Sequence, residues 1–242
     1  MFGIRVRVHP LHWIMSAVLG WSLSYFGLEY VAIWIGCVFI SILWHEMGHV
    51  LVGRFFGAPG HIVLYSMGGL AIGSSDLRKR WHRSLVYLGG PLFQLALFGV
   101  LWAIMRRPFS HFIPIWINST DTMLEQTLLI MMFINFFWAL FNLVPIFPLD
   151  GGQVLRDALE GVSRKNGNRL AFQISILISG FLALHAVFCQ IKDKQFIPYL
   201  PSSWFAAILF GMLMMMNVQM LQAENQSRHW VDDRTPWDDP NW

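Results

Sequence analysis

Apolar residues in this chain gather into long runs with few polar positions between them, instead of alternating with polar residues as they do on a water-facing surface. Six such runs are each long enough, at roughly 20 residues, to cross a bilayer as a helix. They cover Pro10 to about Leu28, Tyr30 to Gly53, Ser84 to Met105, Thr127 to Phe147, Leu170 to Gln190, and about Ile197 to Gln222. Gly, Pro or clustered charge separates them. Between the second and third runs, His61 to Ile72 alternates loosely as a strand and contains Ser66-Met67-Gly68-Gly69, which predicts a short β hairpin or loop. The fold class expected from this pattern is an all-α polytopic membrane protein with about six transmembrane helices and a short membrane-associated β element.

Composition supports lipid as the solvent, since 55% of residues are hydrophobic, 13% are charged, and mean hydropathy is +0.50. The net charge of +3 does not point to nucleic acid, because the basic residues are sorted by loop. Arg5, Arg7, Arg54, Arg78, Lys79, Arg80, Arg83, Arg156, Arg164, Lys165, Arg169, Arg228 and Arg234 make 13 of the 17, and all fall on one side if the first run leaves the cytoplasm. Only Arg106, Arg107, Lys192 and Lys194 fall on the other. The expected localisation is therefore a multi-pass protein of a bacterial inner membrane, with both termini cytoplasmic. Residues 1–28 resemble a signal peptide in having Arg5 and Arg7 before an apolar run, but an uncleaved first span explains the loop charges more simply. Residues 1–222 read as one transmembrane domain, and 223–242 as a short polar cytoplasmic tail. Cys37 and Cys189 lie in apolar runs as small packing residues, and no disulfide framework follows from them.

The second run carries the chemistry. Within it, His45, Glu46 and His49 of His45-Glu46-Met47-Gly48-His49 are the only acidic or basic side chains from Val31 to Val52. A charge at the centre of a span costs roughly 3 kcal/mol, so something must offset these groups. Positions i and i+4 share a helix face, so His45 and His49 can offer two imidazoles to one metal ion while Glu46 stands beside it. The bland alternative is a buried polar trio bonded to neighbouring helices.

Two His leave a tetrahedral metal one protein ligand short even with a water in place. His12 and His185 stand singly on apolar faces and read as packed histidines. Asp150 closes Asn142-Leu143-Val144-Pro145-Ile146-Phe147-Pro148-Leu149-Asp150-Gly151-Gly152, where two prolines break the helix and two glycines let the backbone turn. It is a candidate ligand at matching depth, or alternatively the N-cap of a helix over Gln153 to Glu160.

These residues resemble the site-2 protease family, zinc metalloproteases that cleave within the membrane. His45 to His49 is similar to its first signature and Asn142 to Gly152 to its second, and about 110 residues between them resemble its three-helix core, spans two to four (about 30–152). The resemblance implies one Zn2+ held by His45, His49 and Asp150, Glu46 as the catalytic residue, and Asn142 near the bound peptide. Gly89-Gly90-Pro91-Leu92-Phe93-Gln94 resembles the family's Gly-Pro element, with Gln94 where Asn is common. His61 to Ile72 resembles its membrane-inserted loop, which brings Ser66, Met67, Gly68 and Gly69 to the substrate-binding group. No stretch of about 80 residues remains for a soluble module, so the likeness is to a minimal form without a PDZ or CBS domain.

The expected activity is zinc-dependent cleavage of transmembrane segments in regulated intramembrane proteolysis. Glu46 serves as general base and then acid toward a zinc-activated water. The expected partners are a pre-cleaved transmembrane protein substrate and the lipid bilayer, with no nucleic acid. Two alternatives stand beside it. A prenyl-protein-type membrane metalloprotease would want a downstream Glu ligand, and Glu125 and Glu160 lack such a setting. A non-proteolytic protein that binds transmembrane helices would have lost Glu46, which is present.

Overall fold

The computed structural model describes residues 3–66, 68–106, 122–163, 166–197 and 200–232. The chain divides into two compact units, Met1–Leu143 and Val144–Trp242, so the expected core of residues 30–152 extends across the division.

In the first unit, strand β1 (Val6–Val8) leads into helix α1 (Pro10–Gly20), whose start is set by Pro10 and by the His9 ring accepting the Leu11 N–H. A 3-10 turn (Trp21–Tyr25) follows, and then α2 (Leu28–Phe55), β2 (His61–Tyr65), β3 (Gly68–Ile72), α3 (Arg80–Met105) and α4 (Met123–Leu143). At 1.5 Å per residue α2 is about 42 Å long, enough for a hydrocarbon core of about 30 Å, whereas α1 reaches only about 16 Å. The first apolar run is thus divided where a six-span reading expects one helix. The cause is local. Gly20 lies against the Trp34 ring, Trp34 Nε1 donates to the Ser16 carbonyl (3.1 Å), and Gly27 holds a φ of 139° that other residues avoid. Among the described residues, five helices are long and apolar enough to cross a membrane.

The β element is larger than a hairpin. β2 and β3 pair antiparallel around Ser66, which adopts φ 50°, and β1 adds in parallel to β2 to give the order β1-β2-β3. Ile62 and Leu64 alternate inward and are fully buried with Ile42 and Val50 of α2. Helices α2 and α3 approach through backbone: a side chain on Gly48 would meet the Gly89 carbonyl, and one on Gly89 the Gly48 carbonyl at 2.8 Å.

The second unit contains α5 (Asp150–Val162), α6 (Gly167–Lys192) and α7 (Trp204–Asp232). The fourth apolar run ends as helix at Leu143, and Val144–Leu149 is irregular. α7 continues to Asp232, through ten residues expected as tail. Leu177, Phe181, Leu184, Phe188 and Ile191 form an exposed stripe along α6, while Ser175, Ser179 and Ala186 are buried. Apolar side chains outward and small polar ones inward is the pattern of a helix in lipid. His185 Nε2 accepts the Ile197 N–H (3.1 Å) within the second unit, which gives this histidine a packing partner in the connection to α7.

The irregular stretch is fixed by side chains from both long helices. Ser175 Oγ accepts the Phe147 N–H (3.0 Å), Asn217 Nδ2 donates to the Phe147 carbonyl (2.6 Å), and Gly152 lies against the Ile146–Phe147 backbone. Without water, non-helical backbone needs such partners. Gly152→Ala should therefore lower the thermal midpoint in detergent by overpacking, at a cost of about 1–3 kcal/mol. Gly161→Ala has open space and should raise it slightly through helix propensity. Equal shifts from the two would contradict this packing.

Candidate metal centre

His45, Glu46 and His49 lie in the C-terminal half of α2 and are buried, at 4–6% exposed. The two imidazoles converge, with Nε2 atoms 3.0 Å apart. The far nitrogen of each ring decides what those atoms are. Gln94, fully buried on α3, donates its amide Nε2 to the Ser41 carbonyl (3.2 Å), which turns Oε1 toward His45 Nδ1 at 2.9 Å. An oxygen there requires Nδ1 to be the protonated nitrogen. His49 Nδ1 stands 2.6 Å from the Val86 carbonyl, which again requires an N–H. The Gly90 N–H lies farther from the same nitrogen, at 3.3 Å. Both rings therefore present Nε2 as an acceptor, and two acceptors held 3.0 Å apart call for a cation between them.

Zinc fits this donor set. Two nitrogens each about 2.0–2.1 Å from a tetrahedral ion are roughly 3.3 Å apart, close to the spacing in the fold. Ligand histidines characteristically donate their other N–H to a carbonyl or carboxylate, as both do here. The α3 backbone completes the cradle: a side chain on Gly90 would meet His49 Nε2 and, at 2.7 Å, His45 Nε2. Pro91 follows, and its missing N–H opens the helix ladder in the same turn.

The support extends through three helices at membrane depth. Ser41 Oγ accepts from Asn135 Nδ2 (2.9 Å) on α4, so a buried polar chain joins His45, Gln94, Ser41 and Asn135. Glu46 has a different neighbour, β3. A side chain on Gly69 would meet the Glu46 carboxylate, with Oε1 at 2.7 Å, so the strand lies directly against the candidate base.

Of the other expected residues, Asn142 ends α4 and its amide donates to the Trp138 carbonyl (2.9 Å). Ser66 makes the β2–β3 turn, and its carbonyl accepts from His12 Nδ1 (3.1 Å), which gives that buried histidine a structural partner. Gly68 and Gly69 begin β3, and Met67 lies outside the described residues. Asp150 is the first residue of α5; Leu149 holds the N-cap position that was the alternative role for Asp150. Gln94, Gly90, Ser41, Asn135, Ser175 and Asn217 were not assigned roles from sequence. Their signal is a polar residue or a glycine at the middle of an apolar run.

Five long apolar helices and a buried His-Glu-x-x-His centre define an integral membrane protein built around a metal site of the hydrolase type. Comparison with known proteins places it further. Residues 107–186 match Peptidase family M50. The chain is 28% identical over 186 residues to a zinc metalloprotease of Methanocaldococcus jannaschii, covering 76% of this chain and 50% of that protein. It is 26% identical over 158 residues to stage IV sporulation protein FB of Bacillus subtilis, covering 63% and 46%. It spans about half the length of these curated relatives. Its fold is that of the solved site-2 protease from Methanocaldococcus jannaschii, with a TM-score of 0.59, 23% identity, and coverage of 91% of this chain and 92% of that one. The chain is thus similar to M50 zinc metalloproteases, and its fold is that of a site-2 protease.

Gly90→Ala tests the cradle. Purified protein should lose most of its zinc, because the new methyl group occupies the space of both Nε2 atoms, while Gly36→Ala, with nothing within 4 Å, should keep it. Full zinc in Gly90→Ala, measured by elemental analysis, would show that the ion sits elsewhere.

Proposed function

We propose that this protein is a zinc-dependent intramembrane endopeptidase that cleaves transmembrane segments of other membrane proteins, as a step in regulated intramembrane proteolysis. The observation that carries the reading is the pair of buried Nε2 acceptors on α2, with Glu46 beside them and β3 against Glu46. Asp150 is the third ligand in this reading. Its support is the likeness of Asn142–Gly152 to the family's second signature and the fixed backbone of Val144–Leu149 ahead of it. A bound zinc supplies Lewis acidity that brings the ionisation of a water toward neutral pH and stabilises negative charge on a peptide carbonyl.

The residues do the rest. A substrate helix hides its carbonyls in its own hydrogen bonds and must unwind before attack. β3 is an edge strand in the order β1-β2-β3, so its outer side offers backbone groups to an extended segment, with Ser66, Met67, Gly68 and Gly69 lining the contact and Asn142 holding the peptide. Glu46 takes a proton from the attacking water as the carbon–oxygen bond forms. It returns that proton to the leaving nitrogen as the carbon–nitrogen bond breaks. The substrate is one already trimmed by an earlier cut, and the setting is a bacterial inner membrane with both termini cytoplasmic, as the basic loops favour.

Glu46→Gln should lower cleavage of a co-expressed transmembrane substrate by about 100- to 10,000-fold, the usual range for a lost acid–base group, and leave zinc at one per chain. Undiminished cleavage would remove Glu46 from the mechanism. Substrate capture without cleavage by the unaltered protein would favour the non-proteolytic alternative.

A further inference from the structure

Helix α1 is too short to cross a bilayer, and the residues at its start bond to the sheet instead. The His9 N–H donates to the Leu64 carbonyl (2.8 Å), and the His9 ring lies on Tyr65 with ring centroids 4.7 Å apart. One turn further, His12 is fully buried, and its Nδ1 stands 3.1 Å from the Ser66 carbonyl. A carbonyl there requires Nδ1 to carry the hydrogen. Among the described residues this bond is the ring's one polar contact. The other end of α1 is fixed to α2, because Trp34 Nε1 donates to the Ser16 carbonyl (3.1 Å) and Phe39 meets the His12 ring edge-on (6.2 Å). The helix thus joins α2 to the β2–β3 turn.

That turn governs the strand least able to hold its own place. β2 is anchored by Ile62 and Leu64, both fully buried. No side chain of β3 is fully buried: Gly68 and Gly69 have none to bury, and Leu70 and Ile72 are exposed. Gly69 stays bare because the Glu46 carboxylate fills the space where a side chain would begin. The position of β3 therefore depends on its pairing with β2, which sets Gly69 opposite Leu64, and on the turn that leads into it. Ser66 makes that turn at φ 50°, a conformation disfavoured for a residue with a side chain. The His12 bond holds the Ser66 peptide group there.

We propose that His12 is a positioning residue of the peptidase, holding the β2–β3 turn through the Ser66 carbonyl so that β3 keeps its register beside Glu46. The proposal rests on the reading of β3 as the strand that receives the unwound substrate. A strand already in place spares the peptide the cost of ordering it on binding.

The test uses the full chain purified in detergent, with zinc content, hydrogen exchange and cleavage of a fluorescence-quenched transmembrane-segment peptide as readouts. His12→Phe keeps an aromatic ring against Phe39 and removes the donor. Loss of one buried hydrogen bond should speed exchange of the Gly68–Ile72 amides about five- to tenfold, with zinc still at one per chain. KM should rise about fivefold while kcat changes little, since the loosened strand must be ordered by the peptide. His12→Asn, whose amide places a donor near the position of Nδ1, should restore both exchange and KM. If His12→Phe fails to fold, His12→Asn against His12→Gln decides, because Gln carries the same amide one carbon too far out. Unchanged exchange at Gly68–Ile72 in His12→Phe, equal acceleration throughout the first unit, or a loss confined to kcat overturns the proposal. So does His12→Gln behaving as His12→Asn. Absence of cleavage by the unaltered protein overturns the peptidase reading and the role of His12 within it, whereas the exchange comparison decides separately whether His12 holds β3.

Discussion

Two imidazole nitrogens that face each other across 3.0 Å, each made an acceptor by what binds the opposite side of its ring, set the terms for everything around them. The arrangement is stable only if a cation offsets it. The protein holds it in place regardless, because the groups on the far side are themselves fixed: Gln94 by the Ser41 carbonyl, and the Val86 carbonyl by the α3 backbone. Removing one such acceptor would free a tautomer, and with it the direction of a lone pair.

Close backbone approach makes this possible inside a membrane. Lipid gives helices no hydrophobic reason to associate, so contact depends on small residues and on polar groups that find partners. Gly48 against Gly89 brings α3 near enough for Gly90 to touch both rings and for Gln94 to reach His45. The same economy operates in the second unit, where Ser175 and Asn217 supply partners for irregular backbone just before Asp150. Among the described residues, Ser41, Gln94 and Asn135 thus serve the site, and Ser175 and Asn217 the loop that leads to Asp150.

That service explains what was legible in the sequence. The long helices were plain because roughly 20 apolar residues in a row have few alternatives, and the His-Glu-x-x-His pattern was plain because charge in such a run demands a reason. The division of the first run was hidden, since Trp21 to Tyr25 carries no charge or proline to announce a break and its cause, Trp34 against Gly20, is a tertiary contact. β1 was hidden because three residues carry no period. Gln94 stood out only as a departure from Asn; the longer arm acquires meaning when Ser41 and His45 are seen on either side of it.

X-ray absorption at the zinc edge of the purified protein tests the central claim most directly. The account predicts two imidazole-like ligands and carboxylate or water oxygen at about 2.0–2.1 Å, and a changed first shell in Asp150→Ala. A sulfur shell at about 2.3 Å, or a spectrum untouched by loss of Asp150, would contradict it.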